Sequence, residues 1–235
     1  QFLVSNIRGT YTILEIIRNH KKRFVQISTD EVFGSMEIGS ADEEHRLNPS
    51  NPYAATKASA ELLVNSYVNT YDLDCVITRC TNNYGPRQFY EKLVPKAIFL
   101  AKQNKKIPIY GRGKNIRDWI YVDDHCDAVF KILLDGKQGQ SYNISANNEL
   151  DNISIVNKIL EILDKPSDLI EYVTDRPGHD LRYSLDSSKI QDSLNWKPQT
   201  SFDDGLKSTI DWVLDQPDSK NISNDVLSST PWKNN

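Results

Sequence analysis

No apolar run in the sequence approaches the ~18 residues that a membrane span requires, and the opening QFLVSNIRGT lacks the charged and apolar regions of a secretory signal. A soluble, cytoplasmic protein is therefore expected. Cysteine is scarce: Cys75, Cys80 and Cys126 form no C-x-x-C pair and are odd in number. That argues against both a disulfide framework and a zinc site and leaves buried, reduced thiols as the expectation. The four histidines, His20, His45, His125 and His179, show no helical i, i+4 pairing, so no metal centre is expected. Basic excess is missing as well. With Lys plus Arg 28 against Asp plus Glu 32, the net charge of -4 cannot neutralise a phosphate backbone or an anionic bilayer, so nucleic acid and membrane are excluded as main partners. Repeats, low-complexity tracts and a dinucleotide-binding glycine fingerprint are absent too. The only G-x-G, Gly111-Arg112-Gly113, has no third glycine opening a helix, and it reads as a tight turn between two strands.

What is present is an ordinary globular composition, 235 residues with 38% hydrophobic side chains. Short β-rich runs at 23–29, 74–80 and 141–145 alternate with helical patterns, which is the α/β signature. Helical stripes are expected at Ile7, Tyr11, Leu14 and Ile17, at Ala60, Leu63, Val64 and Tyr67, and at Ile155, Ile159, Ile162 and Leu163. Strands rich in Val and Ile between such helices imply a sheet covered on both faces. Past residue 81, prolines and glycines punctuate shorter elements, and a smaller mixed lobe is expected there. Trp119 and Trp196 are expected in the core.

Two motifs carry chemistry. STDEVFG at 28–34 follows the strand RFVQIS, at the carboxyl end where open α/β sheets place their ligand crevice, so a hydroxyl and two adjacent carboxylates fall at that end. Solvated or capping roles are the plain alternative for Asp30 and Glu31. The second motif, YAATK at 53–57, follows Asn51-Pro52, a helix start, and puts Tyr53 and Lys57 on one helical face. A nearby ammonium favours the phenolate, so Lys57 is expected to lower the Tyr53 pKa and make it a general base.

With these motifs, SNIRGTYTILE, RCTNNYGPRQF, EKLVPKAI, PIYGRGKNIRDWIYVDDH, YNISANNELDN, DRPGHDLRYSLD and LNWKP resemble the extended short-chain dehydrogenases/reductases, and within them the nucleotide-sugar 4,6-dehydratases, across nearly the whole chain. The resemblance implies a Rossmann-like doubly wound parallel sheet with a smaller mixed α/β substrate lobe, the N-terminal strands apparently missing from this chain. It also implies residues 1–80 as the C-terminal half of the NAD-binding domain. Residues 81–220 would be mainly the nucleotide-sugar lobe, with about 115–145 returning to the Rossmann domain, and 221–235 an irregular tail.

The implied activity is that of a hydro-lyase using NAD. It dehydrates a nucleoside-diphosphate glucose, dTDP-glucose or UDP-glucose, to the 4-keto-6-deoxy sugar. Carried onto matching positions, Tyr53 takes the O4 proton with Thr29 bonding that oxygen and Lys57 assisting. Glu31 takes the C5 proton, and Asp30 protonates the departing C6 hydroxyl, which requires a raised Asp30 pKa. Ser5, Tyr53, Lys57 and Asn83 match cofactor positions. Thr29, Asn82, Lys92, Leu93, Pro108, Tyr110, Arg117, Asn152, Arg176 and His179 match substrate positions, with Arg117 facing the diphosphate. Plain alternatives are an ion pair of Arg117 with Asp118 or Asp123, and a turn role for His179. An epimerase or UDP-glucuronate decarboxylase is the nearest rival, separated by Asp30. A non-catalytic nucleotide-sugar-binding fragment is the rival from another class. A homodimer through the helices at 2–19 and 53–71 is implied as well.

Overall fold

The computed structural model describes residues 1–216 and Leu227, so the tail expected at 221–235 lies, except for Leu227, outside the described residues. A π-helical turn over Leu3–Arg8 runs directly into α1 (Gly9–His20), which ends where Lys21 turns left-handed at φ 48°. β1 (Phe24–Ile27) follows, then a short 3-10 turn over Asp30–Phe33. α2 (Pro52–Tyr71) starts as expected: Pro52 sits in the first turn, and the Asn51 side chain accepts a hydrogen bond from the Ala54 amide. β2 (Cys75–Cys80) and β3 (Asn82–Tyr84) lead to α3 (Leu93–Lys102), β4 (Ile107–Tyr110), β5 (Ile116–Tyr121) and α4 (Val122–Asp135). The remainder comprises β6 (Ser141–Ile144), β7 (Glu149–Asp151), α5 (Asn152–Ile162), β8 (Ile170–Val173), α6 (Ser188–Leu194) and α7 (Phe202–Asp215).

The strands expected at 23–29, 74–80 and 141–145 are β1, β2 and β6, and they form one parallel sheet in the order β1-β2-β6. Alternation along β2 explains how both faces become covered. Cys75 and Ile77 pack with Leu14 and Ile17 of α1 and Val64 of α2, whereas Val76 packs with Ile132 of α4, Ile190 of α6 and Trp196. This is the doubly wound α/β arrangement. The second lobe holds β3-β5-β7, parallel then antiparallel, and the parallel pair β4-β8. Its core joins α3, α5 and α7 through Ile98, Ile107, Ile109, Ile155, Ile159, Leu206 and Ile210. Gly111 and Gly113 make the turn between β4 and β5 at φ +57° and +68°, a conformation that side chains resist.

Three packing expectations need correction. Tyr11 is 49% exposed, because α1 turns Thr10, Leu14 and Ile17 inward and Tyr11 lies off that face. Ile162 is 48% exposed, since α5 buries Ile155, Val156, Ile159 and Leu160, and the last turn points Ile162 to solvent. Cys126 is exposed on α4, while Cys75 is buried and Cys80 half-buried. Trp119 and Trp196 are both in the core.

A buried ion pair ties α2 to the sheet. Arg79 on β2 donates to Glu61 on α2 at 2.8–3.2 Å, both side chains being almost wholly enclosed, and also to the Glu43 carbonyl at 3.0 Å. Such a pair fixes register more than it adds stability, because desolvation of two charges offsets most of their attraction.

Candidate active site

The carboxyl ends of β1 and β2 converge with the first turn of α2. At this corner Thr29 caps the 3-10 turn, its hydroxyl accepting from the Glu31 amide at 3.3 Å and donating to Asp30 Oδ1 at 3.1 Å. Asp30 is buried, and its Oδ2 has no hydrogen-bond partner. Burial, and then the neighbouring Glu31 charge, push its carboxyl up to about 7, the direction expected for an acid that holds its proton. Glu31 differs from its neighbour. It borders an open cleft, and its Oε2 accepts from Asn51 Nδ2 at 3.0 Å. Asn51 therefore both starts α2 and orients Glu31, a role that the sequence pattern shows only as a helix cap.

Tyr53 and Lys57 share the α2 face at this corner, but the expected coupling between them is not present. The Lys57 ammonium donates to the Ile27 carbonyl, and Tyr53 is pushed up to about 12 by burial, then by the charges of Glu31, Cys80 and Asp30. Its ring packs edge-on against Phe2 at 5.3 Å. Burial lowers the Lys57 pKa. Burial and the neighbouring acidic groups thus push the Tyr53 phenol up, contrary to the lowered value expected from its spacing to Lys57, whose ammonium donates to the backbone of β1.

Beside the corner lies a cleft of about 360 Å³. It brings together Asn82, Lys92, Leu93, Pro108, Tyr110, Arg117, Asn152, Arg176 and His179, every residue matched to substrate except Thr29, along with Asn83 and Glu31. These come from β3, α3, β4, β5, the start of α5 and the loop before α6. Gln88, Glu91, Lys96, Ile109 and Trp119 complete the lining; they lie within the motifs that carry the resemblance, but no binding role was expected of them. Asn83 donates to the Thr81 carbonyl at 3.1 Å and leaves its Oδ1 buried without a partner. Ser5 is exposed on the π-helical turn, its Oγ 3.3 Å from both the Gln1 carbonyl and Asn6 Oδ1, while the adjacent Asn6 docks onto Thr56 of α2 at 2.9 Å. Ser5 is not among the cleft residues.

Arg117 is 4% exposed, and among the described residues no carboxylate lies within ion-pair distance of it. Its guanidinium donates to the carbonyls of Ile116 at 2.6 Å and Asp180 at 2.9 Å and lies 4.2 Å over the Tyr183 ring. Asp118 instead accepts from Ser145 at 2.5 Å and the Asn148 amide at 2.8 Å, so the alternative pairing does not form. A buried cation held by neutral groups retains most of its charge for an anionic ligand. His179 Nδ1 is 2.7 Å from Asp175 Oδ1, and burial lowers its pKa. Among the described residues no cluster suited to a metal ion occurs, and no helix is long and apolar enough to cross a membrane.

A family model described as GDP-mannose 4,6 dehydratase matches residues 1–209. The chain belongs to this family. Among curated relatives, the dTDP-glucose 4,6-dehydratase of Mycolicibacterium smegmatis is 46% identical over 215 residues, covering 90% of this chain and 65% of the relative. The chain thus spans about two thirds of the length of the curated relatives it matches first. Among solved structures, the dTDP-glucose 4,6-dehydratase of Streptomyces venezuelae with NAD and dTDP bound superposes with a TM-score of 0.88 at 42% identity, covering 90% of this chain and 66% of that one. The UDP-glucuronic acid 4-epimerase of Bacillus cereus, in complex with its substrate and NAD, shares the fold at TM-score 0.86 but only 28% identity, over 90% of this chain and 68% of that one. The Rossmann-like doubly wound fold is thereby established for this member of the family.

Proposed function

We propose that the protein is an NAD-dependent hydro-lyase that removes water from dTDP-glucose, with UDP-glucose as the second substrate to test. The observation that carries this reading is the split environment of Asp30 and Glu31: one carboxyl is enclosed and raised to about 7, and its neighbour borders the cleft. Loss of water across C5–C6 requires a base at C5 and an acid at the C6 oxygen together, and two adjacent carboxyls, one enclosed and one bordering the cleft, meet that need. Epimerisation or decarboxylation makes no such demand on Asp30.

In this reading Arg117, Arg176 and Lys92 hold the diphosphate, and Asn82 with Asn152 fixes the sugar and ribose. Thr29 turns its hydroxyl from Asp30 to the sugar O4. Tyr53 accepts the O4 proton once the Lys57 ammonium moves from the Ile27 carbonyl toward the phenol, restoring the phenolate. Glu31, steadied by Asn51, takes the C5 proton, and Asp30 gives its proton to the C6 hydroxyl as water leaves.

Lys57, Tyr53 and the orphaned Asn83 Oδ1 suit the nicotinamide and its ribose, with Ser5 as an outlying member of that set. NAD, when bound, supplies hydride acceptance at C4 and its return at C6. Its diphosphate finds no glycine-rich strand-turn-helix among the described residues. The turn at Gly111–Gly113 cannot serve, because side-chain space there is filled by Asp175, Ile109 and Ile153.

Residues 1–80 with about 115–145 act as the cofactor-binding part, and the rest of 81–220 as the nucleotide-sugar lobe. The pairing of β6 with β2 and the packing of α4 on the same sheet support that division. The exposed Ile13, Ile16 and Leu62 on α1 and α2 support a homodimer, and free thiols suit the cytoplasm. Incubation with NAD and dTDP-glucose or UDP-glucose, followed by mass analysis, tests the reading. Loss of one water from the dTDP sugar is expected. Substrate bound and recovered unchanged would leave a binding protein, and a product of equal mass that separates from the substrate by chromatography would make it an epimerase.

A further inference from the structure

Between the corner and the cleft runs a strap, residues 180–186, that touches both. On one side the Met36 and Ala41 amides donate to the Arg182 and Ser184 carbonyls at 2.9 and 3.0 Å, joining the strap to the loop that follows the Asp30–Phe33 turn. On the other side the Ile116 amide donates to the Leu181 carbonyl at 2.8 Å, beside Arg117 on β5.

Asp180 opens that strap and bonds in both directions. Its Oδ2 accepts from the Tyr183 hydroxyl at 2.5 Å and from the Ser50 hydroxyl. Its carbonyl accepts from Arg117 Nη2 at 2.9 Å and from Asn115 Nδ2 at 3.1 Å. Tyr183 is buried with the Arg117 guanidinium 4.2 Å over its ring, so the bond to Asp180 holds the surface on which the cation lies. Ser50 precedes Asn51, whose side chain caps α2 and donates to Glu31 Oε2 at 3.0 Å. One carboxylate oxygen thus joins a chain of contacts that ends at Arg117 to one that ends at Glu31. A substrate held by its diphosphate meets its C5 base only if those two groups stand in a fixed relation, and a displacement on the order of 1 Å is costly to turnover.

Resting on the nucleotide-sugar reading of the cleft, we infer that Asp180 is a positioning residue that sets Arg117 against Glu31. Tyr183 is its arm toward the diphosphate, and Ser50 is its arm toward the C5 base. Asp180 is not among the residues lining the cleft, so it acts through these two.

Two measurements separate the arms. Calorimetric titration of dTDP reads the cleft. Deuterium uptake at C5 of dTDP-4-keto-6-deoxyglucose in heavy water, followed by mass, reads the base without any hydride transfer: the C5–H bond breaks, its electron pair passes into the C4 carbonyl, the proton goes to Glu31, and reversal returns a deuteron. Tyr183→Phe is expected to weaken dTDP binding about 2- to 10-fold, as for one hydrogen bond, with exchange at saturating sugar unchanged. Ser50→Ala should slow exchange by about the same factor, with dTDP affinity unchanged. Asp180→Ala should do both, and Asp180→Asn, which keeps an oxygen acceptor in place, should recover part of each. Parent-like values in both single-arm variants would overturn the inference, and a change in only one arm would overturn the link between the two sites. Equal losses of both readouts in each variant would mark a general loosening of the fold and overturn it as well. The single-arm variants decide this even if Asp180→Ala does not fold. A parent that binds dTDP but exchanges no deuterium would overturn the arm toward the base together with the role given to Glu31. A parent that binds no dTDP would overturn the nucleotide-sugar reading itself.

Discussion

The acid–base corner and the cleft beside it are built in opposite ways. The corner comes from two short stretches, Thr29-Asp30-Glu31 and Asn51 to Lys57, held by local bonds: a hydroxyl capping its own turn and a helix-capping amide that reaches Glu31. The cleft gathers residues from Asn82 to His179, across nearly a hundred positions, and its central cation, Arg117, is kept by backbone carbonyls and an aromatic ring. Chemistry that tolerates little displacement thus rests on local geometry, and recognition of a large ligand rests on the tertiary fold. Substitutions in the corner should therefore alter turnover, and substitutions in the cleft should alter binding.

The largest expected effect belongs to Asp30→Asn, which keeps the shape and removes the acid. Water loss should slow by about 100- to 10,000-fold, with the C5 proton still exchanging into deuterated solvent through Glu31. Mass analysis in heavy water reads both. The same change should stabilise the fold. An Asp raised from 3.8 to about 7 keeps its proton in the native state while the unfolded chain loses it, so stability falls as pH rises from near 4 to near 7 and is level above. Chemical denaturation at pH 8 should show Asp30→Asn more stable, on the order of a few kcal/mol at most, and the difference should vanish near pH 4. A variant less stable at pH 8 would contradict the burial assigned to this carboxyl.

Next in size is Glu61→Ala, which leaves Arg79 enclosed without its partner. A loss of about 3–5 kcal/mol is expected from denaturation. Replacing both residues by apolar ones of similar volume should recover much of it. If the single variant were neutral, α2 would not be anchored through this pair.

The smallest is Arg117→Ala. The diphosphate keeps its charge throughout the reaction, so KM should rise about tenfold or more with kcat little changed, and Arg117→Lys should recover only part. Steady-state kinetics decides it, and a loss confined to kcat would move Arg117 from the cleft's role to the corner's.

The same contrast explains what the sequence makes legible. β1, β2, β6 and the start of α2 follow from Val- and Ile-rich runs and from Asn51-Pro52, all local signals. The short strands β3, β4, β7 and β8 carry no comparable signal, because they form only where the second lobe brings them together. The two corner motifs are visible as local patterns, a hydroxyl and two carboxylates after β1 and a Tyr and Lys one helical turn apart, but their acid and base roles, like the cleft residues, emerge only through resemblance to a family pattern. Gln88, Glu91 and Lys96 stand inside the resembling motifs without an expected role, as nothing local shows which side chains of a motif the second lobe turns toward the cleft. The Tyr53–Lys57 pair misleads for a related reason: spacing puts the two groups on one face but does not reveal that the β1 backbone captures the ammonium.

Asn51 gives the corner a shared point of failure. Its side-chain oxygen accepts from the Ala54 amide and its side-chain nitrogen donates to Glu31, so loss of that one side chain would free both the first turn of α2 and the Glu31 carboxylate. Opening of that turn alone, well short of global unfolding, would part Glu31 from α2 while the sheet beneath stays paired.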